Sequence, residues 1–435
     1  MGYIAFRGDS YDVYPPPVSI NTYSQYAFRA LSVALLAALP LTASVAEENG
    51  YKWVGQVDAN GNTGVSLGAN NVFDNFYVIV GGTPSTYWNK AGTTEAIILN
   101  NQSLTVDGTV RVENTTSHDA LNNNGGIRVQ SGSSLTLSGE FVRLVSIGGS
   151  HSTNESVAIT SADLFTKNTV DITAKTVQII GDIENRYLYG NNINITFSGS
   201  DSYWYGSSVF FGANITLADG ATWIYDADNE SGIGSEGYLN NLNLEGGVVI
   251  LDDQIIDEKY RNTVIENEYD RFTLRDVTST EAKHTAVIVS NLTGTGGTFQ
   301  LDLDWRTNQG QKTHANDGTS DFITIGTVVD EGSHQLVSFD QSKAHLDEMN
   351  VGDKLYFASV GAGTTTFTTN ADGEKNSADE LYSFNYSTQS EVDANTTYWF
   401  LTKSLGRTNE NTTLLKSAAL ASYSLASDLD RFNER

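Results

Sequence analysis

The chain has 435 residues, with 25 Lys and Arg against 52 Asp and Glu, a net charge of −27. A surface this acidic excludes nucleic acid and an anionic lipid face as partners, because both demand a basic patch. Cysteine is absent, which removes disulfide frameworks, thiolate zinc sites, iron–sulfur clusters and cysteine nucleophiles together. The 40 glycines, 21 tyrosines and 18 phenylalanines beside only 5 prolines fit an all-β chain with many tight turns.

The first predicted element is an export leader. Residues 30–41, ALSVALLAALPL, form an apolar run behind Arg29, and Ser44 and Ala46 make a small-x-small exit before Glu47. Those three features together predict a secretory signal over 1–46, cut after Ala46. The run is too short to span a bilayer, which takes ~20 apolar residues. The mature chain is therefore expected outside the cytoplasm, and the Arg7-Gly8-Asp9 tripeptide is expected to leave with the leader.

Between about residues 95 and 255 one short unit recurs, apolar-polar-apolar and then a turn. It reads LTVDG at 104–108, LTLSG at 135–139, VDI at 170–172, INITFSG at 193–199, ITLADG at 215–220 and LNLEG at 242–246. Further strands fall between the copies: TVRVE at 109–113, FVRLV at 141–145, TVQII at 176–180 and GVVIL at 247–251. Two or three strands per unit, with no sustained helical period, predict an all-β fold, a right-handed parallel β-helix solenoid. A run of β-sandwiches also has short strands, but the chain shows no break into separate blocks.

Catalytic motifs are not found. The six histidines, His118, His151, His284, His314, His334 and His345, make no HExxH pair, and the mature chain has no G-x-S-x-G elbow, P-loop or calcium repeat. No catalytic, cofactor-binding or metal-ligating residue is assigned. Paired acids stand at Asp252-Asp253 and at Asp302 with Asp304. On a strand the second pair shares a face, as a carbohydrate lyase or hydrolase needs, although solvated strand edges account for them more simply. Tyr203, Trp204 and Tyr205, with Trp223 in the next unit, are the binding candidates. They fit either a surface that stacks a sugar ring or anchors a partner, or an internal aromatic stack; the internal reading is preferred.

The C-terminal third reads NLTGTGGTFQLDLDW at 291–305, SDFITIG at 320–326, GSHQLV at 332–337, LYFASVGAGTTTFT at 355–368 and EVDANTTYWFLT at 391–402. Beyond it, Leu414, Ala418, Ala421, Leu425, Leu429 and Phe432 recur at steps of three or four, an amphipathic helix with Asn411 or Thr412 as its cap. This order resembles the central domain of pertactin-like autotransporter passengers, the type V secretion family. The matching positions are Leu292, Gly294, Gly296, Thr298, Phe299, Asp321, Ile323, Ile325, Gly326, Gly332, His334, Leu336, Phe367, Thr368, Tyr398, Phe400 and Leu401. The closing DRFNER at 430–435 resembles the family's approach to its barrel.

The resemblance implies a β-helix passenger over 47–290 and a central region over 291–405 that folds first and templates the rest. It also implies a linker helix over 406–435 leading toward a translocator barrel that this sequence is expected to lack. The export partners would be the Sec translocon and an outer-membrane barrel. The location would be the outer-membrane surface or the exterior, reached through the periplasm. The role would be adhesion or host contact, or self-association along a coil face, with no cofactor.

Overall fold

The structure, a computed structural model, describes residues 50–56, 63–81, 94–115, 124–146, 157–163, 165–186, 191–210, 212–225, 236–251, 264–266, 271–273, 285–312, 320–375, 382–408 and 410–433. All of them belong to the compact unit Asn49–Arg435. The predicted leader over 1–46 lies outside the described residues, as do the Asp252-Asp253 pair, His118, His151, His284 and His314.

The chain is all-β, dominated by one long and mostly parallel sheet, with a helix at its C-terminal end. Alternation explains the strands. In Asn192–Ser198, NINITFS, the residues Ile193, Ile195 and Phe197 are buried while Asn192, Asn194 and Thr196 are half-buried on the outer side. Neighbouring strands repeat the pattern in register. Leu104, Leu135, Val170 and Ile193 are successive partners, and so are Ile195, Ile215, Leu242, Leu292 and Val328. The core is thus a set of aliphatic columns, and each fully buried side chain stabilises the fold by ~1.5–3 kcal/mol. A slip of one residue would turn every asparagine inward, so the register is fixed.

The parallel pairings fall into three rows that the chain visits in the same order. One circuit runs Thr94–Asn100 in row C, residues 103–107 in row A and residues 109–114 in row B. The next runs Asn124–Gln130, 134–138 and 141–146, each segment pairing with its predecessor. Row B starts at Gly50–Gln56, which pairs with residues 75–81, and ends at Thr365–Thr369, which pairs with Ser333–Ser338.

The corner between rows A and B differs from the sequence expectation. Turns were expected at Gly108 and Gly139, but Ser103–Asn114 and Ser134–Ser146 run straight through them, with a register shift between Asp107 and Thr109. The corner is a bulge. A Cβ on Gly108 would lie 2.0 Å from the Asp74 carbonyl oxygen, and one on Gly139 would lie 2.2 Å from the Gly108 nitrogen. Successive circuits touch backbone to backbone here, which only glycine allows.

The strand segment that precedes row A in the last circuit closes differently from the rest. Lys354–Ala362 pairs in parallel with Phe322–Val328, but Thr396–Thr408 then adds antiparallel, and Tyr382–Asp393 antiparallel to that. Ala394 and Asn395, with φ of 47° and 73°, make the tight turn between them. The boundary expected at 290/291 is not a break in the sheet, because Asn291 pairs with both Asn241 and Thr327. The last strand also runs three residues past the expected boundary at 405. The helix spans Glu410–Asn433, so Asn411 and Thr412 sit in its first turn and not before it. Leu414, Leu415, Leu420, Tyr423 and Leu425 on it are 68–77% exposed, so these apolar side chains are uncovered. No described helix is long and apolar enough to cross a membrane.

Candidate interaction surface

The aromatic binding candidates do not form an exposed cluster. Trp204 and Trp223 are fully buried register partners in row B, their rings stacked at 4.7 Å and 6°. Each indole N–H is also used: Trp204 Nε1 donates to the Gly181 carbonyl at 3.1 Å and Trp223 Nε1 to the Gly206 carbonyl at 2.9 Å. Tyr225 meets Trp223 edge-on at 5.8 Å. Tyr205 is buried in a separate cluster with Val145, Ile180, Ile224 and Ile250, and Tyr203 packs half-buried against it. The four rings therefore split between two packing clusters, and the two tryptophans are closed to any ligand. The reason is local: in YWYG on a two-residue period, Trp204 points to the opposite side from both tyrosines.

The acids and histidines of the C-terminal part make backbone brackets. Asp304 Oδ1 accepts from the Arg306 amide at 2.9 Å, capping the short helix Trp305–Asn308, and lies 2.8 Å from His345 Nδ1. An acid oriented on an imidazole is half of a proton relay, but His345 Nε2 meets no hydroxyl among the described residues. Asp302 offers its amide to the wholly buried Asp321, whose other oxygen takes the Thr285 amide at 2.8 Å. His334 is exposed, its Nε2 3.2 Å from Thr368 Oγ1. Among the described residues no three of His, Asp and Glu gather as a metal ion would need.

The most regular outward feature is a polar ladder on row A. Asn194 Nδ2 donates to Asp171 Oδ1 at 2.7 Å, and Asn214 Nδ2 donates to Asn194 Oδ1 at 2.8 Å. Asn241 Nδ2 donates to Asn214 Oδ1 at 2.6 Å and Asn291 Nδ2 to Asn241 Oδ1 at 2.9 Å. Five consecutive rungs are linked, and all five are exact register partners. Two residues along, Thr196, Thr216, Asn243 and Thr293 form a second column, joined where Thr293 Oγ1 donates to Asn243 Oδ1 at 3.2 Å. Asn194, Asn214 and Asn291, each the first residue of an N-x-T triplet, are rungs of this ladder. Its signal was present in the sequence as NIT, NIT, NLN and NLT at matching unit positions.

An ion-pair network ties the closing strands together. Lys312 Nζ lies 2.8 Å from Asp393 and 2.9 Å from Glu391; Lys354 also pairs with Glu391, and the Tyr356 hydroxyl donates to it at 2.7 Å. The hydrogen bonds from Lys354, Lys312 and Tyr356 hold the Glu391 carboxyl down to about 2. Burial, and then the bond to Glu391, pushes the Tyr356 hydroxyl up to about 12. The folded value of Glu391 lies below its ordinary value of 4.5. The network therefore stabilises fully above that value, and its contribution is lost as pH falls from there through about 2. Glu391→Gln should flatten the acid limb of a stability–pH curve in that window. A variant curve parallel to the parent's would show that the network carries no linkage.

No known protein family, curated protein or solved structure matches the chain.

Proposed function

We propose that the chain is the exported passenger of an autotransporter-type secretion system. It is a non-catalytic stalk whose outer faces serve adhesion, host contact or self-association. Three parallel rows visited in constant order support reading the fold as a right-handed β-helix solenoid, in which each circuit buries its inner row on the next. The leader-like segment at 1–46 and the lack of cysteine support export in an unfolded state.

One observation carries the reading. The parallel array ends in the antiparallel strands Thr396–Thr408 and Tyr382–Asp393, and an uncovered amphipathic helix follows at once. That is the order the resemblance implies for a stability region followed by a linker. Eight of the seventeen positions that carry the resemblance are buried, among them Leu292, Phe299, Ile323, Phe367, Phe400 and Leu401.

The test is localisation. In the source cell, antibody and added protease should reach residues 50–408 without permeabilisation, and N-terminal sequencing should return Glu47. An intact N-terminus at Met1 on a cytoplasmic protein overturns the proposal. The carbohydrate-enzyme reading predicts saccharide turnover lost on Asp304→Asn, which the passenger reading does not.

A further inference from the structure

The two ends of the parallel array are finished differently. At the C-terminal end the closing strands cover the last circuit: Trp399 packs on Phe367 at 5.5 Å, and Phe367 is 1% exposed. At the N-terminal end the side chains that begin the core, Tyr51, Trp53, Val65, Leu67 and Phe73, are only partly buried. One circuit further in, Phe76, Val78 and Val106, the register partners of Tyr51, Trp53 and Phe73, are fully buried. Stacked circuits bury their inner side chains on one another, so the first keeps one apolar side uncovered. Its edge is open as well. Among the described residues Gly50–Gln56 pairs only with residues 75–81, so alternate N–H and C=O groups on its other side meet no described strand. An open edge of this kind is a template for another strand.

The strand is matched to itself. It alternates half-buried Tyr51, Trp53 and Gly55 with exposed Lys52, Val54 and Gln56. In an antiparallel pair about a two-fold axis at Trp53, that residue faces its own copy, Lys52 faces Val54 and Tyr51 faces Gly55. Lys52 is the single charged residue of the strand, so no charge faces a like charge. A Cβ on Gly55 would lie 2.7 Å from the Trp53 ring, so the indole lies over this glycine. The Tyr51 of a second copy then arrives beside that indole, as an aromatic pair. Each copy supplies the inner layer that the other lacks.

We infer that two copies of the mature chain join base to base, their Gly50–Gln56 edges pairing antiparallel about a two-fold axis. This rests on the export reading, since removal of 1–46 leaves only residues 47–49 ahead of the strand. The contact uses one surface twice, so it is isologous and closes at a dimer.

Val54 is 37% exposed, so it reports the pairing without disturbing the core. Sedimentation of chains starting at Glu47 should show a monomer–dimer equilibrium that saturates at two. Val54→Lys sets a lysine against Lys52 twice and should weaken the dimer several-fold. Val54→Glu makes two cross-strand ion pairs and should tighten it several-fold. General repulsion between chains of net charge −27 predicts the opposite order, because the lysine lowers that charge and the glutamate raises it. A parent that stays monomeric overturns the proposal, and so do growth beyond a dimer, equal affinity in all three proteins or the reversed order. N-terminal sequencing of the exported protein separates the two readings: an uncut chain defeats export, whereas a cut chain that stays monomeric defeats only the dimer.

Discussion

Trp204→Ala is expected to lower the unfolding free energy by about 3–5 kcal/mol, the range for removing a large buried aromatic. The ring is fully buried and stacked on Trp223 at 4.7 Å. The strands around it are pinned by ladder hydrogen bonds on both sides, from Thr176–Ile180 and Thr222–Tyr225, so the cavity cannot collapse. The Gly181 carbonyl also loses its donor. Trp204→Phe keeps most of the stack and loses the N–H, so its cost should fall nearer the ~1–3 kcal/mol of one unsatisfied buried polar group. Urea denaturation of the three proteins gives the order. If Trp204→Ala costs no more than Trp204→Phe, the stacked column is not a core element.

The second large effect is expected at Asp321. Its two oxygens accept the Thr285 amide at 2.8 Å and the Asp302 amide at 2.6 Å, and the side chain is fully buried. It therefore staples the entry to strand Ala286–Thr293 onto the segment that follows Thr298–Gln300. Alanine leaves two amides without acceptors in a dry site, at ~1–3 kcal/mol each. Asparagine keeps one acceptor oxygen and should cost about half as much. Amide exchange should quicken at Thr285 and Asp302 in Asp321→Ala before it quickens elsewhere. Protection unchanged at those two amides would contradict the bracket.

Much of the array was legible because strand alternation is a local property. INITF, ITL and LNL each declare an inner and an outer face, and the observed strands match them. The illegible parts depend on the neighbouring circuit. Gly108 and Gly139 look like turn glycines, yet their role is to let two backbones cross in contact. Trp204 and Trp223 left a surface cluster and the preferred internal stack both open, because sequence does not show that the strand after a turn puts them on one inner column. Asp304 and His345 lie 41 residues apart, and only tertiary packing brings them together. The asparagine rungs were visible as residues, but the ladder required the register.

The helix shows the reverse case. Its period was plain, although the cap expected at Asn411 or Thr412 falls inside the helix, which begins at Glu410. What the period did not give is a partner, and the structure leaves Leu414, Leu415, Leu420, Tyr423 and Leu425 exposed.

The closing strands are the centre of the account, since they end the parallel series of the long sheet at Lys354–Val360. The most direct measurement is limited proteolysis of a chain lacking residues 291–403, followed by peptide mapping of the remainder. The account predicts that strands between 50 and 250 lose protection, because the last circuit is left with an open apolar edge and no cap. A deleted chain that resists digestion over 50–250 as well as the parent does would contradict it, and the C-terminal region would then be an appendage and not the element on which the stack depends.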